Sequence, residues 1–305
     1  MLYGLENDPD FKHINTTLLV SCPSSDSDQG GLFLLDLKNN ALEKLYTGSC
    51  SGMTLVNDRL FIASDDNEII TMDQRFEVIQ KKQLPKLDLH DIVKFNDHVV
   101  LVVETAMNAI GCYDTETFTR LGEIRLNTED KDVHHINDIW LDGRTLYVSM
   151  FSPYGKWYMN PIQKNGAIVA IDLTNFHPTQ QLHIDPENHV VVKDLYMPHT
   201  VMMHQNQLAY CDSMSFSIVA GNKKPIQLPG FTRGLAITEN TIFIGQSRMR
   251  HVLRIPHEFS NCCLDSGIYV YDPKYRISRF IPLPAQQVYQ IQILDPNFYL
   301  EGSNL

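Results

Sequence analysis

Residues 99 to 126 read VVLVVETAMNAIGCYDTETFTRLGEIRL. A continuous apolar run, a short polar break, a second run closing on Asp114, a turn and a weaker third run follow one another. Each run has strand length and is rich in Val, Ile, Leu and Tyr, and each break carries turn residues. Helical periodicity is almost absent from the rest of the chain. The unit recurs instead. The runs LFLLDL (32–37), IITMD (69–73), AIVAIDL (167–173) and IYVYD (268–272) repeat the closure on Asp, each before a polar turn and a weaker strand. Four antiparallel strands repeated every few tens of residues are the pattern of a β-propeller blade.

Counting back nine positions from Leu60, Val99, Leu146, Leu208, Ile242 and Phe298 lands on Ser51, His90, Asn137, His199, Arg233 and Tyr289. Those six registers predict an all-β chain, a single six-bladed propeller spanning residues 1–305. The repeat is incomplete at both ends. The first blade lacks an inner strand, and residues 286 to 294 supply a lone one, so the C-terminus is expected to close the ring and remove an unpaired edge.

Composition narrows the function classes. The 305 residues are 43% hydrophobic and 20% charged, which excludes a disordered chain. A formal charge of −11 argues against nucleic-acid binding, which needs clustered Lys and Arg. No apolar stretch is long enough for a membrane span, and MLYGLENDPDFKH lacks the order of a secretory signal. The six cysteines form no CxxC pair, which fits free thiols and a cytoplasmic location. GxGxxG, P-loop and GxSxG motifs are missing, so nothing points to a nucleotide site or a hydrolase elbow.

The chemistry is expected at one channel mouth. In a propeller the starts of the inner strands and the ends of the second strands meet there. The aligned column of Ser51, His90, Asn137, His199, Arg233 and Tyr289 should ring it, with Asp138 in the next column and Glu104, Asp212 and Gln246 at second-strand ends. Convergent polar groups in a concavity are the default candidate site. The longest loops, SPYGKWYMNPIQKNG (152–166) and RMRHVLRIPHEFSNCCLDS (248–266), open on the same side. They bring Trp157, suited to a sugar ring, and Arg248, suited to an anion. Packing flaps would show the same lengths.

His90, His199, Glu104 and Asp138 are the candidate acid–base residues. Asn137, Arg233, Tyr289, Asp212, Gln246, Trp157 and Arg248 are the candidate substrate contacts. His90, His135 and His199 could instead ligate a divalent metal such as Zn, Mn, Fe or Ca, although hydrogen-bonded channel histidines fit the same pattern.

Residues 198 to 247 carry a resemblance. Pro198, His199, Thr200, Leu208, Asp212 and Ser213, then LPGFTRGLAI and IFIGQSRMR, look like an uncharacterised bacterial family known only as a domain of unknown function. Its pattern is approximately PHSP…L…DS…LPGFxRGL…FVGLS. The family resembles six-bladed propellers related to gluconolactonases and NHL repeats. Thr200 replaces the family's usual Ser, the next Pro is missing, and Gln246 replaces Leu. The resemblance implies the propeller and no particular activity. A gluconolactonase-like set of Glu, Asn and Asp ligands has no one-to-one counterpart.

Two classes follow. One is a hydrolase, lyase or isomerase acting on an anionic or sugar-like small molecule. The other is a non-catalytic propeller that binds a metabolite or a protein partner.

Overall fold

The computed structural model describes residues 9–11, 14–24, 26–129, 131–160 and 163–295. Its sheets are six, one per blade, as the repeat predicts. The inner strands run Met53–Val56, Leu89–Asn96, Ile136–Asp142, Pro198–His204, Phe231–Ile237 and Gln290–Ile293. The last of these pairs antiparallel with Thr17–Cys22, Ile291 opposite Val20, so the C-terminal segment does close the first blade. Phe298, used to set the sixth register, lies outside the described residues. Tyr289 nonetheless takes the column position, because its N–H bonds to the Ser21 carbonyl as that of Ser51 bonds to Ala63.

Burial grades outward. The second strand Val99–Glu104 is buried at every position, whereas the fourth strand Val78–Gln83 is exposed at every position. Blades stack face to face, so middle strands lose solvent on both sides and read as unbroken apolar runs. One contact between blades unites Leu101, Val103, Ile110 and Ile124 with Ile139, Val148, Val169 and Ile171.

The recurrent Asp has a local cause. Asp36, Asp73, Asp114, Asp172 and Asp272 each accept hydrogen bonds from backbone N–H groups two to four residues on, and so fold the hairpin into the fourth strand. One blade departs from the four-strand pattern. Gln181–His183 adds a parallel fifth strand beside Arg120–Arg125 and covers an edge that would otherwise stay open.

The inner strands carry the decisive irregularity. Register shifts fall at Leu89/Ile92, Ile136/Ile139, His199/Val201 and Thr232/Leu235. A β-bulge puts two residues opposite one, re-aims a side chain and leaves an N–H without a ladder partner. The preceding blade supplies that partner. Asp91 accepts from Ile139 N–H at 2.8 Å, Asp138 from Thr200 N–H at 2.8 Å, and the Thr200 hydroxyl from Gly234 N–H at 3.0 Å. Gln290 accepts from Met53 N–H across the closure. At Gly52 no side chain fits, since a Cβ there would lie 2.1 Å from the Asp91 carboxylate.

Asp91 accepts from both Ile92 and Ile139, so an apolar replacement leaves two buried N–H groups unpaired. Each such group costs roughly 1–3 kcal/mol. Asp91→Leu is therefore expected to destabilise the protein by about 2–5 kcal/mol in chemical denaturation, and Asp91→Asn by less. Equal losses for the two variants would show that the side chain's hydrogen bonding is not what matters.

Candidate functional site

The bulges turn the first column inward at one end of the channel. Tyr289 is its centre. Its hydroxyl donates to the Asn137 carbonyl, 3.3 Å away on the blade across the ring, and the Arg233 guanidinium lies 3.9 Å from its ring centroid. The His90 ring meets Tyr289 edge-on at 6.1 Å. Burial, and the nearby Asp138 charge, hold the phenol well above its usual pKa, so the hydroxyl stays protonated. Ser51, Asn137, His199, Arg233 and Tyr289 are all buried, and His90 is partly so.

Four histidines gather above this floor. Those at 90 and 135 approach edge to face at 5.3 Å. Phe151 packs against His135 at 4.3 Å and against His199 at 5.4 Å, and so stands between them. Trp157 covers His135 at 4.8 Å. Three of the imidazoles have one nitrogen anchored. His135 Nδ1 is 2.6 Å from Asp132, whose carboxylate also accepts from Trp157 Nε1. His90 Nε2 is 3.5 Å from Asp88. His199 Nδ1 lies 2.9 Å from the Ser213 hydroxyl and 3.0 Å from the Met197 carbonyl.

Guanidinium groups lie among these histidines, with Asp88 and Asp132 behind them. Burial lowers the pKa of His199 strongly, and the Arg233 charge lowers it further. Burial also lowers that of His135, against the pull of Asp132. His251 falls to about 4 through burial and the charges of Arg250 and Arg254. The result is a set of neutral imidazoles beside permanent guanidinium groups.

Three buried polar atoms in the column have no hydrogen-bond partner: His90 Nδ1, Asn137 Oδ1 and Arg233 Nε. Such groups are rare in folded proteins and call for an explanation.

Several residues expected at the mouth are engaged elsewhere. The Glu104 carboxylate reaches outward over the third strand, accepting from Tyr113 at 2.7 Å and from Arg120 at 2.8 and 2.6 Å. Those bonds commit it to the blade, not to acid–base chemistry at the channel. Asp138 belongs to the inter-blade belt and lines a cavity of about 300 Å³ with Asp91 and Thr200, while its charge still acts on Arg233, His90 and Tyr289 at the mouth. Burial raises the pKa of both carboxyls, and the Asp138 charge raises that of Asp91 further. Asp212 accepts from Tyr196 N–H at 2.6 Å, and Gln246 bonds to the Asp265 carbonyl and Tyr269 hydroxyl. Arg248 is exposed in an outer groove with Gln29 and Gln286.

His90, His135, Asn137, His199, Arg233, Tyr289 and Trp157 do come together. Asp88, Asp132 and Phe151 join them unanticipated, while Arg250 and His251 come from the 248–266 loop expected on this side. Among the described residues no three His, Cys, Asp or Glu side chains converge closely enough to hold a metal, and Phe151 separates His135 from His199.

The class that fold and site define is a six-bladed propeller with a histidine- and arginine-lined channel end. The chain belongs to the family described as "Domain of unknown function (DUF4915)", whose model matches residues 11–296. No curated protein matches it. Similar solved structures include a nidogen/laminin complex, at 10% identity and a TM-score of 0.62 over 91% of this chain and 98% of that one. Regucalcin, a calcium-binding protein from Agrobacterium tumefaciens, is 11% identical with a TM-score of 0.54 over 79% of this chain and 76% of its own. A putative gluconolactonase is 11% identical with a TM-score of 0.51 over 79% of each chain. At these identities the likeness establishes the fold alone. All six cysteines are free, and no helix among the described residues is long and apolar enough to cross a membrane.

The lowered histidines set a pH dependence. The unfolded chain protonates His199 near pH 6.5 while the folded protein keeps it neutral. The stability it contributes is complete above about pH 6.5 and is lost as pH falls below it. Asp91 and Asp138 act oppositely, their raised carboxyls favouring the folded state as pH falls, so a difference measurement is needed. His199→Gln should flatten the acid-side loss by up to one proton, about 1.4 kcal/mol per pH unit between roughly pH 6.5 and 5. Parallel stability curves for the two proteins would rule out a depressed His199.

Proposed function

We propose that the mouth is an acid–base site for a small anionic substrate, of the kind a hydrolase, lyase or isomerase uses. The observation that carries this reading is the pairing of imidazoles with carboxylates, Asp132 with His135 and Asp88 with His90, beside Arg233 and Arg250. A carboxylate on one ring nitrogen fixes the tautomer and stabilises the imidazolium formed when the other nitrogen takes a proton. In His135 the anchored atom is Nδ1, so Nε2 on the far side of the ring is the proton acceptor. Its depressed pKa keeps it neutral, and therefore able to accept, at neutral pH. Arg233 and Arg250 supply positive charge for the substrate anion and for negative charge that develops as the proton leaves. His199, neutral and held through Nδ1, turns its other nitrogen away as a second donor or acceptor.

A binding module without turnover is the second reading. The depth of Arg233 and Asn137, 3% and 0% exposed, favours it, because burial suits retention of a metabolite.

The test is proton NMR in D₂O with pooled sugar acids, hydroxy acids and their lactones. The acid–base reading expects conversion, or exchange of a carbon-bound hydrogen for deuterium. His135→Asn should slow it by about 10²–10⁴-fold with folding retained. Saturable binding with no chemistry in any pool would favour the module. Undiminished turnover in His135→Asn would remove that residue from the mechanism.

A further inference from the structure

We infer that the ligand of this mouth is a hydroxylated carboxylic acid, with carboxylate and hydroxyl groups on one small ring or chain. The inference rests on the mouth being the ligand site and deepens that reading.

It follows from what the unpartnered atoms can bond. Arg233 is 3% exposed, and one terminal nitrogen donates to Gln287 at 3.1 Å while Nε has no partner. A guanidinium can only donate, so this edge requires an oxygen, and a buried cation favours a charged one. Asn137 imposes the opposite demand. Its amide nitrogen donates to the His135 and Pro198 carbonyls at 3.3 and 3.2 Å, which fixes the orientation and leaves Oδ1 as an acceptor without a donor. An ionised carboxylate has no hydrogen to give, and a neutral sugar has no charge for Arg233. An ammonium group could donate to Asn137, but Arg233 and Arg250 oppose a second cation. A hydroxyl meets the demand at no electrostatic cost, and another suits His90 Nδ1, which Asp88 on Nε2 leaves as an acceptor.

Both residues meet Tyr289. Arg233 stacks on its ring, and the Asn137 main-chain carbonyl accepts from its hydroxyl, so the two unpartnered groups border one side chain. Trp157 and Phe151 add aromatic faces above. A carboxylate fits better than a phosphate. The single free edge of Arg233 matches two coplanar oxygens, whereas a dianion would face Asp88, Asp132 and Asp138 nearby.

The experiment is isothermal titration calorimetry of the full chain with four matched probes. D-Galacturonate carries both groups, D-galactose only hydroxyls, cyclohexanecarboxylate only the anion, and D-galactose 6-phosphate the alternative anion. Galacturonate should bind at least tenfold more tightly than each of the others. Arg233→Lys, which keeps the charge and loses Nε–H, should weaken galacturonate tenfold or more and leave galactose unchanged. Equal affinity for galacturonate and cyclohexanecarboxylate would overturn the inference while leaving an anion site standing. Equal affinity for galacturonate and galactose would overturn both this and the anionic reading. Tightest binding of the phosphate, or binding of none of the four, would reject the carboxylic-acid class. The deuterium experiment reads turnover separately, so chemistry on a substrate without hydroxyls would sink this inference alone.

Discussion

The structure depends on the hydrogen bonds that join each inner-strand bulge to the next blade. A propeller must hold its blades at a channel where the inner strands are too far apart to pair. Here a bulge frees an N–H, and a side chain from the preceding blade takes it: Asp91 to Ile139, Asp138 to Thr200, Thr200 to Gly234. The belt costs two buried carboxyls whose pKa values burial raises. It returns a closed ring whose blades cannot rotate independently. At the closure, Ser247 bonds both the carbonyl and the N–H of Val288, and Gln290 reaches Met53.

The same bulges divide labour between adjacent residues. Where the second of a pair has a side chain, as at Asp91, Asp138 and Thr200, it faces the neighbouring blade and is consumed by the belt. The first is turned toward the channel end, where no strand lies opposite. Asn137 and Asp138 show the division within one dipeptide: the Asp oxygen accepts Thr200 N–H, while Asn137 Oδ1 has no partner. Unpaired buried groups are costly, and the belt is what can sustain them, because the column cannot relax without breaking inter-blade bonds.

This division explains what could be read from the sequence. The closure on Asp marks a hairpin turn, a local event, and so survives in every well-formed repeat. The offset of nine residues locates the channel column because the strands between have fixed length. Glu104, Asp212 and Gln246 stand at second-strand ends, but a position along the strand does not say on which face a side chain emerges. Period two decides that face, and theirs turns each toward Arg120, Tyr196 or Tyr269 within its own part of the fold. Asp88 and Asp132 carried a signal that a strand-based reading discards. Each lies two or three residues before a histidine at a positive-φ turn, where a carboxylate folds back on the ring that follows. Arg250 and His251 come from an insertion, whose path no repeat constrains.

The electrostatics of the mouth tie binding to chemistry. Burial makes His199 and His135 weak bases, and the nearby Arg233 charge weakens the first further. An anion settling on Arg233 removes much of that repulsion, since opposite charges in a partly desolvated site offset each other strongly. On the proposed reading, His199 then becomes a better proton acceptor as the substrate arrives. The carboxylates behind His90 and His135, Asp132 above all, are already placed to hold the charge of a protonated ring. Neutral histidines around a fixed cation therefore make sense as a site at rest. On the proposed reading the Arg233 charge withholds the basicity of His199, and the anion that offsets that charge restores it.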